Sequence, residues 1–348
     1  MPITELVRRN HEPRERLTRA KTLVGLVGCC VLFAMQSIVR TQTLVRLNPD
    51  RDAHVEEANP TSNYGSISPL KLTKEGNAAW IRTYFGFDVT KLASLGAPDS
   101  AVLRLYQSGA SGAGCLAASA HNVTNTWSEG AITWQSQPAF DSNAVDYRCV
   151  GDSFYKGWRV FDVTSIARTW WSGANHGLML RTGWEIRSGA SRLALIRSRE
   201  DAVVTERPLL ELRWGITSFG TACASSENLS GRPVLVVDSD DALIGKPLDL
   251  HAHDAARASM RATLLLAGFS KTSWGALPLP LNLAFLQLPS CNVHVAGDDV
   301  LGTLSLSTKD AKWTLPLPND ARLRAIPLYF QVVARGFEMS QALEVRVR

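Results

Sequence analysis

At 348 residues the chain exceeds a usual single-domain core, so two domains are expected, and its composition, 45% hydrophobic and 20% charged, is that of an ordinary globular protein. The formal charge of +5 is concentrated at the start, where residues 1–40 carry seven Lys/Arg against three Glu. The remaining body is close to neutral, which excludes nucleic acid as the main partner, because phosphate binding needs a basic face.

Arg8, Arg9, Arg14, Arg16, Arg19 and Lys21 precede the uncharged apolar run Thr22 to Met35. A basic region followed by a run of ~14 apolar residues fits an export signal better than a membrane span, which needs about 20. Residues 1–42 are therefore expected to be a signal peptide or a membrane or lipid anchor. Leu26-Val27-Gly28-Cys29 is similar to a bacterial lipobox, although it stands early in the run. Any contact with a membrane is expected through this segment alone.

Beyond it four cysteines remain, Cys115, Cys149, Cys223 and Cys291, an even number in a chain bound for an oxidising compartment. Four cysteines allow three connectivities, and the domain division argued below puts two in each half. The expected pairs are Cys115 with Cys149 and Cys223 with Cys291. No Cys-x-x-Cys pair supports a metal site instead.

From Asp52 onward, short apolar runs alternate with Gly, Pro, Asn and Ser, an all-β pattern. Strands are expected around Leu70 and Leu72, over Ala79 to Val89, and over Ser100 to Gln107, where Arg104 is a lone charge that needs a partner or an open face. Phe87-Asp88-Val89-Thr90 closes one strand and Phe161-Asp162-Val163-Thr164 another, each opening a turn that its Asp and Thr could cap. After Thr164, Ile166 and Trp170, with Ala167 and Trp171, fall at i and i+4 and predict a short helix that Gly173 ends. Runs at Gly177 to Arg181, Arg192 to Arg197 and Leu209 to Trp214 complete eight or more short strands, which suggest a sandwich or jelly roll over residues 43–215. Residues 216–232 are small, polar and strand-poor, the expected linker. A second, smaller β-sandwich is expected over 233–348, with an edge or loop at Pro278 and Pro280.

Several motifs now occur in a telling order: Asp52-Ala53, Asn63-Tyr64-Gly65, Arg82-x-Tyr84-x-Gly86-Phe87-Asp88, Leu103-Arg104-Leu105-Tyr106, Trp127-Ser128-Glu129, Thr133-Trp134, Phe161-Asp162-Val163-Thr164, Trp170, Asn175-His176-Gly177, Ser198-Arg199-Glu200 and Arg207-Pro208. This set resembles the DNRLRE domain, similar to the family 96 carbohydrate-binding modules. The resemblance implies a secreted jelly-roll module attached to bacterial or archaeal surface proteins and to some polysaccharide-degrading enzymes. The second half resembles a C-terminal domain of secreted proteins from planctomycete-like bacteria. Its marks are Phe219-Gly220-x-x-Cys223, Leu264-Leu265-Leu266-x-Gly268, Trp274-Gly275-x-Leu277-Pro278, Cys291 and Leu315-Pro316-Leu317-Pro318. That likeness implies a Cys223 to Cys291 pairing and no activity; Ser290 stands where Gly usually precedes the second cysteine.

A sugar offers an apolar C–H face and a ring of hydroxyls, so aromatic faces beside planar polar groups are the chemistry sought. Arg82, Arg104, Arg181 and Arg199, with Trp184 and Tyr64, are the candidate ligand-binding residues, guanidinium forks suiting a uronate or sulfated glycan. The opposing possibility is that these arginines pair internally with Glu129 and Glu200. Asp52, Asn63, Asp88, Trp127, Glu129, Trp134, Asp162 and Glu200 are assigned to the structural motif. No Gly-x-Ser-x-Gly elbow or His-Glu-x-x-His is present. His251 and His253 share a strand face and with Asp254 could hold a metal, but a surface strand is the assignment adopted and no metal ligand set is expected. Asp238-Ser239-Asp240-Asp241 is similar to a calcium loop, but Leu243 stands where an EF-hand needs Gly, which rejects that form and leaves a sandwich-type structural calcium open. No other cofactor is expected. The sequence thus points to a secreted or cell-surface, non-enzymatic protein that binds a polysaccharide, an acidic one by the arginines. The alternative is a structural or adhesive module that engages the cell envelope or other surface proteins.

Overall fold

The computed structural model describes residues 42–75, 79–112, 116–151, 156–182, 192–223, 232–253, 261–305, 310–334 and 338–348. They form an all-β sandwich fold in two parts. The first part holds β1 (Thr43–Leu47), β2 (Arg51–Glu56), β3 (Leu70–Glu75), β4 (Ala79–Gly86), β5 (Ser100–Ser111), β6 (Leu116–Asn122), β7 (Asp146–Val150), β8 (Gly157–Asp162), β9 (Leu178–Thr182), β10 (Arg192–Ile196) and β11 (Leu209–Trp214). One layer is built on β5, which pairs with β8, β10 and β11, while β1 extends it beyond β11 and β3 beyond β10. The other runs β2-β4-β9-β6-β7, and β3 and β4 join the two layers.

Period-2 alternation makes these two layers close on one another. Phe85 of β4, Leu103 and Leu105 of β5, Phe161 of β8, Leu178 and Leu180 of β9 and Leu210 and Leu212 of β11 all point inward and are buried in one core. The predicted helix is present as α1 (Thr164–Ser172), and it lays Ile166, Ala167 and Trp170 into the same core.

The two Phe-Asp-Val-Thr copies do share a local solution, and of the two expected capping groups the aspartate performs it. Asp162 Oδ1 accepts from Thr164 N at 3.0 Å, and Asp88 Oδ1 accepts from Thr90 N at 2.9 Å and from Thr90 Oγ1 at 2.6 Å. Thr164 makes no side-chain cap; its hydroxyl instead accepts from Ala101 N at 2.9 Å and ties the helix start to β5.

The second part begins earlier than expected. Ile216–Phe219 forms β12, which pairs with Ala342–Arg346, so this stretch is sheet and not linker. Its side chains alternate, Ile216 and Ser218 buried, a pattern hidden in sequence by the polar residues beside them. That sheet continues through Pro327–Ala334 and Arg261–Gly268 to Asp299–Ser305. A second sheet joins β13 (Val234–Val237), β14 (Pro247–His253) and Ala311–Pro316, and a core of Leu235, Leu250, Leu265, Trp313, Phe330 and Val345 fills the space between. Cys223 and Cys291 form a disulfide, as expected. Cys149 is also disulfide-bonded, and its expected partner Cys115 lies outside the described residues.

The two parts meet on the outer face of the β5 layer. Val102 of β5 and Val160 of β8 pack against Val234 and Val236 of β13. Beside them Arg104 forms an ion pair with Glu211, its Nε 3.0 Å from Oε2, and donates from Nη2 to Asp238 at 3.1 Å. The lone charge of the β5 run is therefore met by an acid from each part.

Candidate functional site

The outer face of the second layer carries the most sugar-like chemistry. Arg82 of β4 and Arg181 of β9 both alternate away from the core, since their neighbours Ile81, Thr83, Leu180 and Thr182 are buried. Ser119 of β6 lies opposite Arg181, and His121 opposite Met179. The loop between β6 and β7 folds back over this face and places Trp127, Ile132, Trp134 and Phe140 against Val55, Tyr84 and Met179 in a second, smaller core.

At the edge of that core the Arg82 guanidinium stands 4.7 Å from the Trp134 ring centroid and 5.1 Å from that of Phe140. Its Nη1 donates to Gln137 Oε1 at 2.9 Å, and the Tyr84 hydroxyl donates to the same oxygen at 2.9 Å. Arg181 stands 5.4 Å from the Phe140 ring and donates from Nε to His121 Nε2 at 3.2 Å. His121 is buried, and its Nδ1 lies 2.8 Å from the carbonyl of Asp141, which can only accept. Nδ1 therefore carries the proton and Nε2 is the acceptor that orients Arg181. The two guanidiniums, Trp134 and Phe140 are all partly exposed. Two planar cations clamped against aromatic faces on one sheet surface can bind a carboxylate or sulfate while the ring edges meet apolar C–H groups.

The other candidate residues go elsewhere. Arg104 is engaged between the two parts, as described above, and is withdrawn from the ligand set. Arg199 bonds Glu129 at 3.3 Å and Glu200 at 3.1 Å and also donates to the Asp50 carbonyl, the internal pairing that was the opposing possibility. Tyr64 stacks on His54 with centroids 4.6 Å apart and donates to Glu56 at 3.1 Å. His54 alternates with Ala53 and Val55, so Tyr64 lies away from the Arg82 face. Burial is what holds the His54 ring down at about 4, so it is neutral at pH 7. Trp184 lies outside the described residues.

The motif residues build this frame. Asn63 donates to the carbonyls of Glu129 and Ile132, each at 2.7 Å, and fastens the β6–β7 loop. Gly65 is needed there because a Cβ would fall 2.3 Å from the Glu129 carbonyl oxygen. Trp127 donates to the His176 carbonyl at 2.8 Å.

A second cluster lies under the same loop. Asp52, Glu129 and Glu200 bring carboxylate oxygens within 4.8 Å of one another. Asp52 is fully buried; Oδ2 accepts from Arg199 N at 2.7 Å, while Oδ1 has no hydrogen-bond partner. Burial, with the neighbouring Glu200 and Glu129 charges, pushes the Asp52 carboxyl up to about 8 against the Arg199 amide. An orphaned carboxylate oxygen beside two more acids is a donor set of the hard, oxygen-only kind that suits calcium.

The comparisons with known proteins bear on this same segment. Residues 43–213 match the model of carbohydrate-binding module family 96. The matched span contains Arg82, Arg181, Trp134 and the acidic cluster, and ends at β11. No curated protein matches the chain. Two solved structures of a Parabacteroides merdae β-glucuronidase, one with glycerol in its active site, align at 10% identity with a TM-score of 0.17. They are covered to 31% and 29% of their length, and this chain to 86% and 83%, so it spans about a third of those enzymes. A likeness of that size carries no argument about this chain.

Sequence reasoning found Arg82 and Arg181, assigned Trp134 to the structural motif rather than to the binding face, and missed Gln137, Phe140 and His121. His121 was findable, because Ser119 and His121 alternate with the small apolar Ala118 and Ala120. Phe140 and Gln137 sit in a loop without periodicity, and only the fold brings them to β4.

Proposed function

We propose that this chain is an exported, non-catalytic protein that binds an acidic polysaccharide on the outer face of the β2-β4-β9-β6-β7 layer. The observation that carries the proposal is the Arg82 and Arg181 pair set against Trp134 and Phe140 within the span that matches the family-96 model. The guanidiniums take the acidic groups and the aromatic edges take the apolar sugar face. Export is supported by the basic and apolar start of the sequence and by the disulfides. Among the described residues no helix is long and apolar enough to cross a membrane. Attachment to the cell envelope or to other surface proteins would follow from the N-terminal segment.

A structural calcium at Asp52, Glu129 and Glu200 belongs to the same proposal. The ion would neutralise the three acids and pin the β6–β7 loop that presents Trp134. Affinity electrophoresis of the full chain through gels holding polygalacturonate, dextran sulfate or neutral glucans tests the function. Retardation by the acidic gels alone is expected. Equal mobility in every gel would remove the sugar-binding role and leave the structural or adhesive module, which the internal pairing of Arg104 and Arg199 favours.

A further inference from the structure

The sequence places His251 and His253 on one strand face, and a surface position was the expectation. The structure overturns it: both are buried, because β14 lies between β13 and Ala311–Pro316 and its end abuts the first part. Their rings lie 3.7 Å apart, centroid to centroid. Asp254, the third residue of the sequence proposal, lies outside the described residues; Asp238 and Asp310 converge on the pair in its place.

The nitrogens divide into two roles. His251 Nδ1 is 3.0 Å from Asp238 Oδ2 and can only donate there, since the carboxylate accepts. His251 Nε2 is buried without a well-formed hydrogen bond, 3.4 Å from Asp310 Oδ2. His253 Nδ1 is likewise buried without a hydrogen bond, and it faces the same Asp310 oxygen at 3.4 Å. Two buried imidazole nitrogens thus converge on one carboxylate oxygen with no well-formed hydrogen bond between them, a gap that one shared cation would fill.

The spacing selects the cation. Charge-assisted N–H···O bonds run at about 2.7–2.9 Å, so 3.4 Å is long for one. Two ligands on a tetrahedral zinc with bonds of about 2.0–2.1 Å stand roughly 3.3–3.4 Å apart. Imidazole nitrogens with one carboxylate suit a divalent transition metal rather than calcium.

We propose that His251 Nε2, His253 Nδ1 and Asp310 Oδ2 form a binding site for a divalent transition metal, zinc being the ion that fits, with Asp238 orienting His251 through its Nδ1–H. A carboxylate behind a metal-bound histidine is the usual supporting contact. Arg104 is the competing cation. Its Nη1 lies 3.4 Å from His253 Nε2, on the ring edge away from the metal position, and its charge is taken up by Glu211 and Asp238. Asp310 and Asp238, with side chains 24% and 31% exposed, provide the path from solvent. Because Arg104 belongs to the first part, the metal would also stiffen the junction.

The test is calorimetric titration of the EDTA-stripped full chain with zinc, with thermal melting alongside. One zinc per chain and a raised melting temperature are expected. Asp238→Asn, which leaves the three ligands in place, should weaken zinc about 10- to 100-fold. His253→Ala and Asp310→Ala should abolish binding while keeping the wild-type circular dichroism. Cobalt substituted for zinc should give the visible spectrum of a four-coordinate ion. Wild-type protein that takes up no zinc, by heat or by melting, overturns the proposal whatever the variants do; so does zinc binding that His253→Ala and Asp310→Ala leave intact.

Discussion

Replacing Arg82 by Ala tests the binding face most directly. The side chain stands 4.7 Å from the Trp134 ring centroid, 5.1 Å from that of Phe140 and 2.9 Å from Gln137, all within residues 43–213 that match the family-96 model. Its contribution to the fold is modest. A partly exposed cation–π contact is worth about 0.5–1 kcal/mol, and one hydrogen bond to a neutral acceptor about 1 kcal/mol, so the variant should lose roughly 2 kcal/mol and stay folded. The loss in binding should be larger in proportion. A hydrogen bond from a guanidinium to a sugar carboxylate is worth about 1.5–3 kcal/mol, which converts to roughly a 10- to 150-fold weaker Kd. Arg82→Lys keeps the charge but not the planar fork, and should recover only part of the affinity. Calorimetric titration with oligogalacturonates measures all three proteins, and melting curves control for folding. The reasoning fails if Arg82→Ala and the double variant with Arg181→Ala both melt normally and still bind like the wild type.

Arg104→Ala should instead spare the sugar and cost stability. It strips one partner from Glu211 and one from Asp238, but Arg46 still holds Glu211 and His251 still holds Asp238, so about 2–4 kcal/mol is expected in urea unfolding. Weakened polygalacturonate binding with unchanged stability would contradict that assignment. Asp52 gives a pH signature. Its carboxyl is held at about 8 in the folded chain and titrates near 4 when unfolded, so its contribution is full below about pH 4 and is lost as pH rises toward 8. Comparison of wild type with Asp52→Asn should show the steeper decline in the wild type over that window, and calcium should flatten it; parallel curves would refute the assignment. Reducing the Cys223–Cys291 bridge, which closes a loop 68 residues apart in sequence, should cost about 4 kcal/mol by the loop-entropy relation. Cys291→Ala that unfolds at the wild-type urea midpoint would show the bridge to be stability-neutral.

Much of the fold was legible because it rests on local rules. Strands β4, β5, β8 and β11 alternate with period 2, helix α1 repeats its apolar residues at i and i+4, and both signals survive without knowing what packs where. Strand β12 was missed because four residues with a serine and a threonine carry too little apolar pattern. Its pairing with Ala342–Arg346 spans more than a hundred residues of sequence.

Site chemistry is less local. The sequence by itself determined that Arg82, Arg104 and Arg181 project from apolar runs, that each therefore needs a partner or an open face, and which cysteines join in the second half. It also determined that His251 and His253 share a face. What those side chains meet was decided only by the tertiary structure. Arg104 finds Glu211 and Asp238, Arg199 finds Glu129 and Glu200, Arg82 finds two rings from a loop, and the histidines find Asp310. The physical reason is range. Backbone propensity and side-chain alternation act within a few residues, whereas ion pairs, stacking and ligand sets join strands distant in sequence, and their partners exist only once the sheets have closed.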